Sequence, residues 1–247
     1  MLLFAPNILS VMNSVRKHVP EQYREECIHY LEGFVTPKRS ARIKEVLRKR
    51  TRHLTVVLEN LFQPHNASAV LRSCECFGIQ DVHIVENDYA FERTRGVSMG
   101  AEKWLTMHHY NEEVFNTQAC LRNLKSAGYR LAATTLREGA VPLQEIEMDE
   151  PLALMFGTEL SGLTETAHQE ADLFVYLPMW GFTQSFNISV SCALSLYELR
   201  RRLDQATEAH WRLARDESQW LHLEWLVRSI KSSEEMLDSW LQVKHSG

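Results

Sequence analysis

Three short segments hold most of the side chains whose types and spacing suit them to chemistry. The first is Asn66-Ala-Ser-Ala-Val-Leu-Arg72-Ser-Cys-Glu-Cys-Phe77-Gly78. Asn66 is placed to cap a helix, because its side-chain oxygen can take a free amide of the first turn. At about 100° per residue, Val70, Ser73, Cys74 and Phe77 share one side of that helix, while Ser68, Arg72 and Glu75 share the other. Arg72 then projects from the polar face of a helix that begins where a strand ends, which is where α/β folds place their ligands. On this segment alone, a surface arginine paired with Ser68 or Glu75 is the better explanation.

The second segment, Phe156-Gly157-Thr-Glu159-Leu-Ser-Gly162-Leu163, sets a carboxylate between two glycines just after an apolar run. Glycine there permits close backbone approach or a positive φ; a tight strand-to-helix turn would need no more. The third, Leu177-Pro-Met179-Trp-Gly181-Phe-Thr-Gln-Ser185-Phe186-Asn187-Ile-Ser189-Val-Ser191, ends a strand, crosses a polar uncharged loop and opens a helix near Ser185 or Asn187. Ser189, Ser191, Ala193 and Ser195 would let another backbone approach that helix closely. From Leu173 to Tyr197 no residue is charged. The stretch is long enough to span a membrane, but Pro178, Gly181, Gln184, Asn187 and four serines make hydrocarbon a poor solvent for it. Burial of polar backbone and side chains inside protein is the expected explanation.

The elements that must position these segments alternate. Thr55–Glu59 is a β-branched run, Asn66–Phe77 helical, Asp81–Val85 a strand, Asn111–Ala127 helical and Tyr129–Thr134 a strand. Leu152–Phe156 and Leu173–Leu177 are two more strands, separated by a short helix near Thr164–Glu170. Strands alternating with helices imply a mostly parallel sheet covered on both faces. Residues 1–50 read as helical, with Pro20 opening one helix, Pro37 breaking to the next, and an apolar stripe at Ile43, Val46 and Leu47 on the second. Beyond Asn187 the pattern is helical, with Trp211, Trp220, Trp225 and Trp240 as packing anchors. The expected domains are a helical basic extension over 1–53, a catalytic domain over 54–203 and a helical extension over 204–247.

The 247 residues carry 27 Lys and Arg against 32 Asp and Glu, a net charge of −5, and 45% are hydrophobic. This excludes a mainly disordered chain. Charge is uneven. Residues 38–53 hold eight basic residues and Glu45, so the segment is +7 and the rest of the chain −12. Lys38, Arg39, Arg42, Arg48, Lys49, Arg50 and Arg52 therefore form either a grip for a polyanion or a solvated helix face. The five cysteines (Cys27, Cys74, Cys76, Cys120, Cys192) form no Cys-x-x-Cys pair, so reduced thiols in the cytoplasm are expected and a disulfide framework is not. Residues 1–7 lack the basic start and cleavage site of a signal peptide. His65, His108 and His109 have no carboxylate or His at metal-ligand spacing, and no metal is expected.

In this order and spacing, the three segments resemble the SpoU/TrmH family of RNA 2′-O-ribose methyltransferases within the SPOUT superfamily, over residues 54–200. The flanks resemble the TrmH type, which methylates a guanosine ribose in the tRNA D-loop. The resemblance implies an α/β fold whose C-terminal segment threads a loop into a deep trefoil knot, although knots are nearly absent elsewhere. It implies S-adenosylmethionine in the knotted loops, lined by Thr134, Gly157, Leu177, Met179 and Phe186, and a homodimer with its active site at the interface. It carries catalysis onto Asn66, Arg72, Glu159, Ser185 and Asn187. The family's arginine is assigned the hydroxyl proton together with a substrate phosphate. A guanidinium with a pKa above about 12 better suits a phosphate clamp that places the hydroxyl. The resemblance leaves as alternatives an rRNA or another tRNA nucleotide as target, or a non-catalytic knotted RNA-binding protein.

Overall fold

A computed structural model describes residues 15–61, 63–88, 90–91, 98–207 and 211–245; the reading of residues 1–7 lies outside the described residues. The chain divides into two compact units, Thr51–Arg212 and, together, Met1–Arg50 with Leu213–Gly247.

The larger unit is built on seven strands: β1 (Leu54–Glu59), β2 (Asp81–Val85), β3 (Thr106–Tyr110), β4 (Arg130–Thr134), β5 (Val141–Pro142), β6 (Leu152–Phe156) and β7 (Leu173–Tyr176). Their order is β3-β2-β1-β6-β4-β7-β5. Every neighbouring pair runs parallel, with Val56 of β1 opposite both Val82 and Leu154. Every residue of β1, β2 and β6 is buried. Successive side chains point to opposite faces of a sheet, so both faces are covered, as a continuous apolar run demands. The expected parallel α/β sheet is present. Strands β3 and β5 lie beyond the five that the sequence predicts. Asn111–Ala127 was read as helical, but the helix starts only at Asn116, and Thr106–Tyr110 just before it is strand β3. Its two histidines hide the apolar alternation.

Among the described residues this unit holds α3 (Pro64–Cys76), α4 (Asn116–Ser126), α5 (Glu165–Glu170) and α6 (Ile188–Leu203); α1 and α2 precede them and are described below. Val57, Val85, Leu131 and Met155 of the sheet pack with Leu121 and Leu124 of α4 and Ala167 of α5. Helices α3 and α6 pack against each other. Their burial takes in Ser68 as well as Val70, Leu71 and Cys74, so Ser68 is not on the solvent side with Arg72. A helix held on two sides buries more of its circumference than a single apolar stripe suggests.

The smaller unit holds α1 (Arg24–Glu32), α2 (Pro37–Leu47), α7 (Arg215–Ser229) and α8 (Ser233–His245). Thr36 caps α2 by accepting from the Arg39 amide at 3.2 Å, and Pro37 occupies the first turn, where its missing N–H costs nothing. Arg24 donates to Gln219 Oε1 at 2.8 Å and lies 5.0 Å over the Trp220 ring. Tyr30 stacks on Trp240 at 5.8 Å. Trp220 and Trp225 are buried as expected, as is Trp211 in the larger unit. Among the described residues no helix is long and apolar enough to cross a membrane.

Candidate functional site

The C-terminal ends of β1, β4, β6 and β7 carry the segments singled out above. After β6 the chain turns back at once: Thr158 and Gly162 exchange backbone hydrogen bonds, 3.0 Å each way. Gly162 adopts φ +70°, and a Cβ on Gly157 would stand 2.1 Å from the Gly162 carbonyl carbon and oxygen. The two glycines therefore have different causes. One supplies the left-handed turn, and the other makes room for that turn's own backbone rather than for a ligand. Thr158 Oγ1 accepts from the Ser161 amide at 3.0 Å and locks the loop further.

This loop presents Glu159. Its Oε1 accepts from Asn66 Nδ2 at 2.7 Å and from Asn187 Nδ2 at 2.7 Å, and Asn187 also donates to Asn66 Oδ1 at 3.2 Å. Asn187 caps α6, accepting from the Ser189 amide at 2.9 Å. Asn66 is not a cap. Pro64 starts α3 two residues earlier, and the Asn66 amide is drawn to Glu159 and to Gln63 Oε1 at 3.1 Å instead. Three segments far apart in the chain thus meet in one hydrogen-bonded cluster.

The loop is also anchored from below. The buried carboxylate of Glu59, at the end of β1, accepts from the Thr164 amide and hydroxyl, both at 2.8 Å, and from Thr117 Oγ1 at 2.5 Å. Sequence reasoning passed over Glu59. Its signal is an acid ending a strand whose other residues are apolar save Thr55.

Two cavities flank the cluster. The larger, about 330 Å³, is lined by Thr134, Gly157, Leu177, Met179, Ser185, Phe186 and Asn187, with Leu136, Phe156, Tyr176, Gln184, Ser191 and Ser195 among the remainder. All five residues expected at the cofactor lie on its wall. The smaller, about 250 Å³, is lined by Leu61, Gln63, Asn66, Thr158, Glu159, Leu160, Ser161 and Ile188. Thr158, Glu159 and Ile188 belong to both, so Glu159 stands in the partition.

The charge-free stretch is not buried throughout. Trp180 and Phe182 are fully exposed, and residues 181–187 are all exposed, because the loop edges an open cavity instead of filling the core. Of the small residues expected on one face of α6, Ser195 is buried, while Ser189, Ser191 and Ala193 are half-buried. The exposed positions of α6 are Val190, Leu194, Tyr197 and Arg201. Arg72 is exposed and lines neither cavity, and among the described residues it makes no ion pair with Glu75 or hydrogen bond to Ser68. Arg50 is wholly buried, with its guanidinium 5.1 Å over the Trp225 ring, so it has no surface to offer RNA. Arg52 is ion-paired to Asp81 at 2.6 Å. Lys38, Arg39, Arg42, Arg48 and Lys49 are exposed in the smaller unit.

The histidines also have partners that sequence spacing hid. His108 lies 2.8 Å from Asp81 and His109 2.9 Å from Glu86, because β3 runs parallel to β2 with His83 opposite His108. Burial works to raise the Asp81 carboxyl, but the His108 hydrogen bond and Arg52 outweigh it and hold it at about 2. Among the described residues no group of three or more such side chains is arranged around a metal.

The model of the SpoU rRNA Methylase family matches residues 53–197, more than half of the chain. The chain belongs to this family. A tRNA (guanosine(18)-2′-O)-methyltransferase of Borreliella burgdorferi is 39% identical over 180 residues, 73% of this chain and 81% of that protein. Among solved structures, the A. aeolicus TrmH/SpoU tRNA modifying enzyme aligns with a TM-score of 0.69 at 28% identity, covering 78% of this chain and 98% of that one. An AdoMet-bound rRNA methyltransferase from Sinorhizobium meliloti aligns with a TM-score of 0.52 at 26% identity, covering 64% of this chain and 60% of that one. The SpoU match spans both cavities and the Asn66–Glu159–Asn187 cluster and stops within α6, so the helices of the smaller unit are outside it.

Proposed function

We propose that this chain transfers a methyl group from S-adenosylmethionine to the ribose 2′-hydroxyl of a guanosine in tRNA. The observation that carries this reading is the Glu159 carboxylate, shared by two cavities and held by Asn66 and Asn187, in a SpoU chain whose relatives are named for that reaction.

The larger cavity fits the cofactor. Leu177, Met179 and Phe186 supply apolar walls for adenine, and residues 179–186 make no backbone–backbone hydrogen bonds among the described residues, leaving amides and carbonyls to read its edge. Bound there, the cofactor supplies an electrophilic methyl on a sulfonium.

A ribose hydroxyl is a poor nucleophile, so the chain's own residues must orient it and accept its proton. Oε1 of Glu159 is occupied by the two asparagine amides, and Oε2 has no partner among the described residues. That oxygen is the acceptor for the hydroxyl. Ser185, on the cofactor wall, orders the loop leading to Asn187. Arg72 clamps the neighbouring phosphate through its bidentate fork.

The protein works as a homodimer in the cytoplasm, with the C-terminal segment through α6 drawn into a trefoil knot. Val190, Leu194 and Tyr197 form an exposed apolar stripe at helical spacing on α6, a surface suited to a second copy. Arg72, open on α3 and outside both cavities of its own chain, would then serve a site completed by the partner. The basic face of α2 grips the tRNA backbone, and no metal takes part.

Incubation with methyl-labelled S-adenosylmethionine and separated tRNA and rRNA tests this. Label in tRNA as 2′-O-methylguanosine at one position is expected. Label only in rRNA would move the target, and none in either would leave an RNA-binding protein.

A further inference from the structure

We infer that the 250 Å³ cavity receives the base of the target nucleotide and that Gln63 reads it. This rests on the methyl-transfer reading above and adds to it the base-selecting group.

The cavity lies over the ends of β1 and β6, between the β1–α3 connection and the loop after β6. From β1 the chain builds outward through β2 and β3 on one side, while β6 and β4 lie on the other, so the strand order reverses here. Open parallel sheets bind ligands at such a crevice. It shares the Glu159 wall with the larger cavity. Donor and acceptor of a group transfer must meet at one place, so with the donor on one side of Glu159 the acceptor nucleoside belongs on the other.

Charge decides which part of the nucleotide enters. Among the described residues Glu159 is the one ionisable side chain on the wall, and a carboxylate repels a phosphate. Leu61, Leu160 and Ile188 instead offer apolar faces of the kind that hold a base taken out of its stack. At the rim stands Gln63. Its Oε1 accepts from Asn66 Nδ2 at 3.1 Å, whereas its Nε2 has no partner among the described residues. The bond from Asn66 fixes which way the amide faces, as the network assigns it. It leaves both Nε2 hydrogens free, one of them beside an oxygen with a second lone pair. That donor and acceptor match the guanine edge, where O6 accepts and N1–H donates. Adenine and 2-aminopurine present the reverse or lack O6. Asn66 joins Gln63 directly to Glu159, so the same hydrogen-bond chain links base reading to the carboxylate that faces the hydroxyl.

The test uses the full chain and tRNA transcripts carrying guanosine or 2-aminopurine ribonucleoside at the mapped position. Wild type is expected to prefer guanosine by about tenfold or more in kcat/KM, the worth of one bidentate contact. Gln63→Ala should lose that preference by slowing on guanosine alone, with S-adenosylmethionine affinity unchanged. Ser161→Phe, which plugs the cavity, should cut methyl transfer at least tenfold and leave the same affinity intact. Preserved base preference in Gln63→Ala, full activity in Ser161→Phe, or cofactor binding lost with the plug would each overturn the assignment. No methyl transfer by wild type to any RNA would instead overturn the functional reading beneath it.

Discussion

Asn66 and Asn187 stand 121 residues apart in the chain, yet both side-chain amides donate to the same oxygen of Glu159, each across 2.7 Å. The first turn of α3, the β6–α5 connection and the N-cap of α6 are thereby fastened at one atom, and the carboxylate's other oxygen remains available. Glu159→Gln keeps an acceptor for both amides and removes only the anionic oxygen. Its thermal stability and cofactor affinity should match wild type, while single-turnover methyl transfer falls about 100-fold, the range of a lost proton acceptor. Unchanged single-turnover rates would assign Glu159 to structure alone.

Gly157 tests the loop that carries Glu159. A Cβ there meets Gly162 backbone at 2.1 Å, so Gly157→Ala must break the Thr158–Gly162 bridge. The expected cost is about 1–3 kcal/mol of stability, with a larger relative loss of S-adenosylmethionine affinity in calorimetric titration. Wild-type affinity in a folded variant would show that the turn tolerates another path.

The basic residues of α2 and the buried arginine just past it separate by function. Replacing Lys38, Arg39 and Arg42 together with alanine should raise KM for tRNA and lower the slope of log K against log salt by up to about three, with little change in melting temperature. Arg50→Ala should do the opposite. It removes a desolvated cation from the Trp225 face, costing about 2 kcal/mol or more and leaving the salt slope alone. An unaltered salt slope in the triple variant would return the exposed residues to a solvated face.

The His83 ring gives a pH signature. Burial, reinforced by the neighbouring His108, pulls its pKa down to about 3 against attraction from Asp81; it stacks on His108 at 4.5 Å and faces the Tyr110 hydroxyl at 3.3 Å. The folded value lies below the unfolded one, so the unfolded chain binds the proton first. Stability is full above the usual histidine pKa of about 6.5 and falls as pH drops from there toward 3, approaching 1.4 kcal/mol per pH unit for one proton. Asp81, depressed to about 2, loses its contribution only below the ordinary carboxylate range and does not obscure that window. In urea unfolding from pH 6.5 to 4, His83→Phe should keep the ring stack and flatten the slope. An identical slope would contradict the assignment.

Much of this was legible because it was written locally. Val56, Val57 and Leu58 declare a buried parallel strand, and the glycines around Glu159 declare a turn. The spacing of Asn66, Glu159 and Asn187 carried the family likeness that brought them to one site. What depended on neighbours in space was not legible. Thr106–Tyr110 reads as polar until β2 and the residue after it supply Asp81 and Glu86 for its histidines. Arg50 reads as part of a basic run until Trp225, 175 positions later, buries it. Asn66 reads as a helix cap because capping is the commonest local use of that side chain, and only the distant Glu159 gives it another. Glu59 was overlooked since its partners Thr117 and Thr164 lie on other elements.

The most direct measurement is a crystal structure of the protein with S-adenosylhomocysteine. The account predicts the ligand in the cavity walled by Leu177, Met179 and Phe186, with its sulfur facing the side of the cavity that Glu159 closes. Density for the ligand at any other place, or against Leu177 with the sulfur turned away from Glu159, would contradict it.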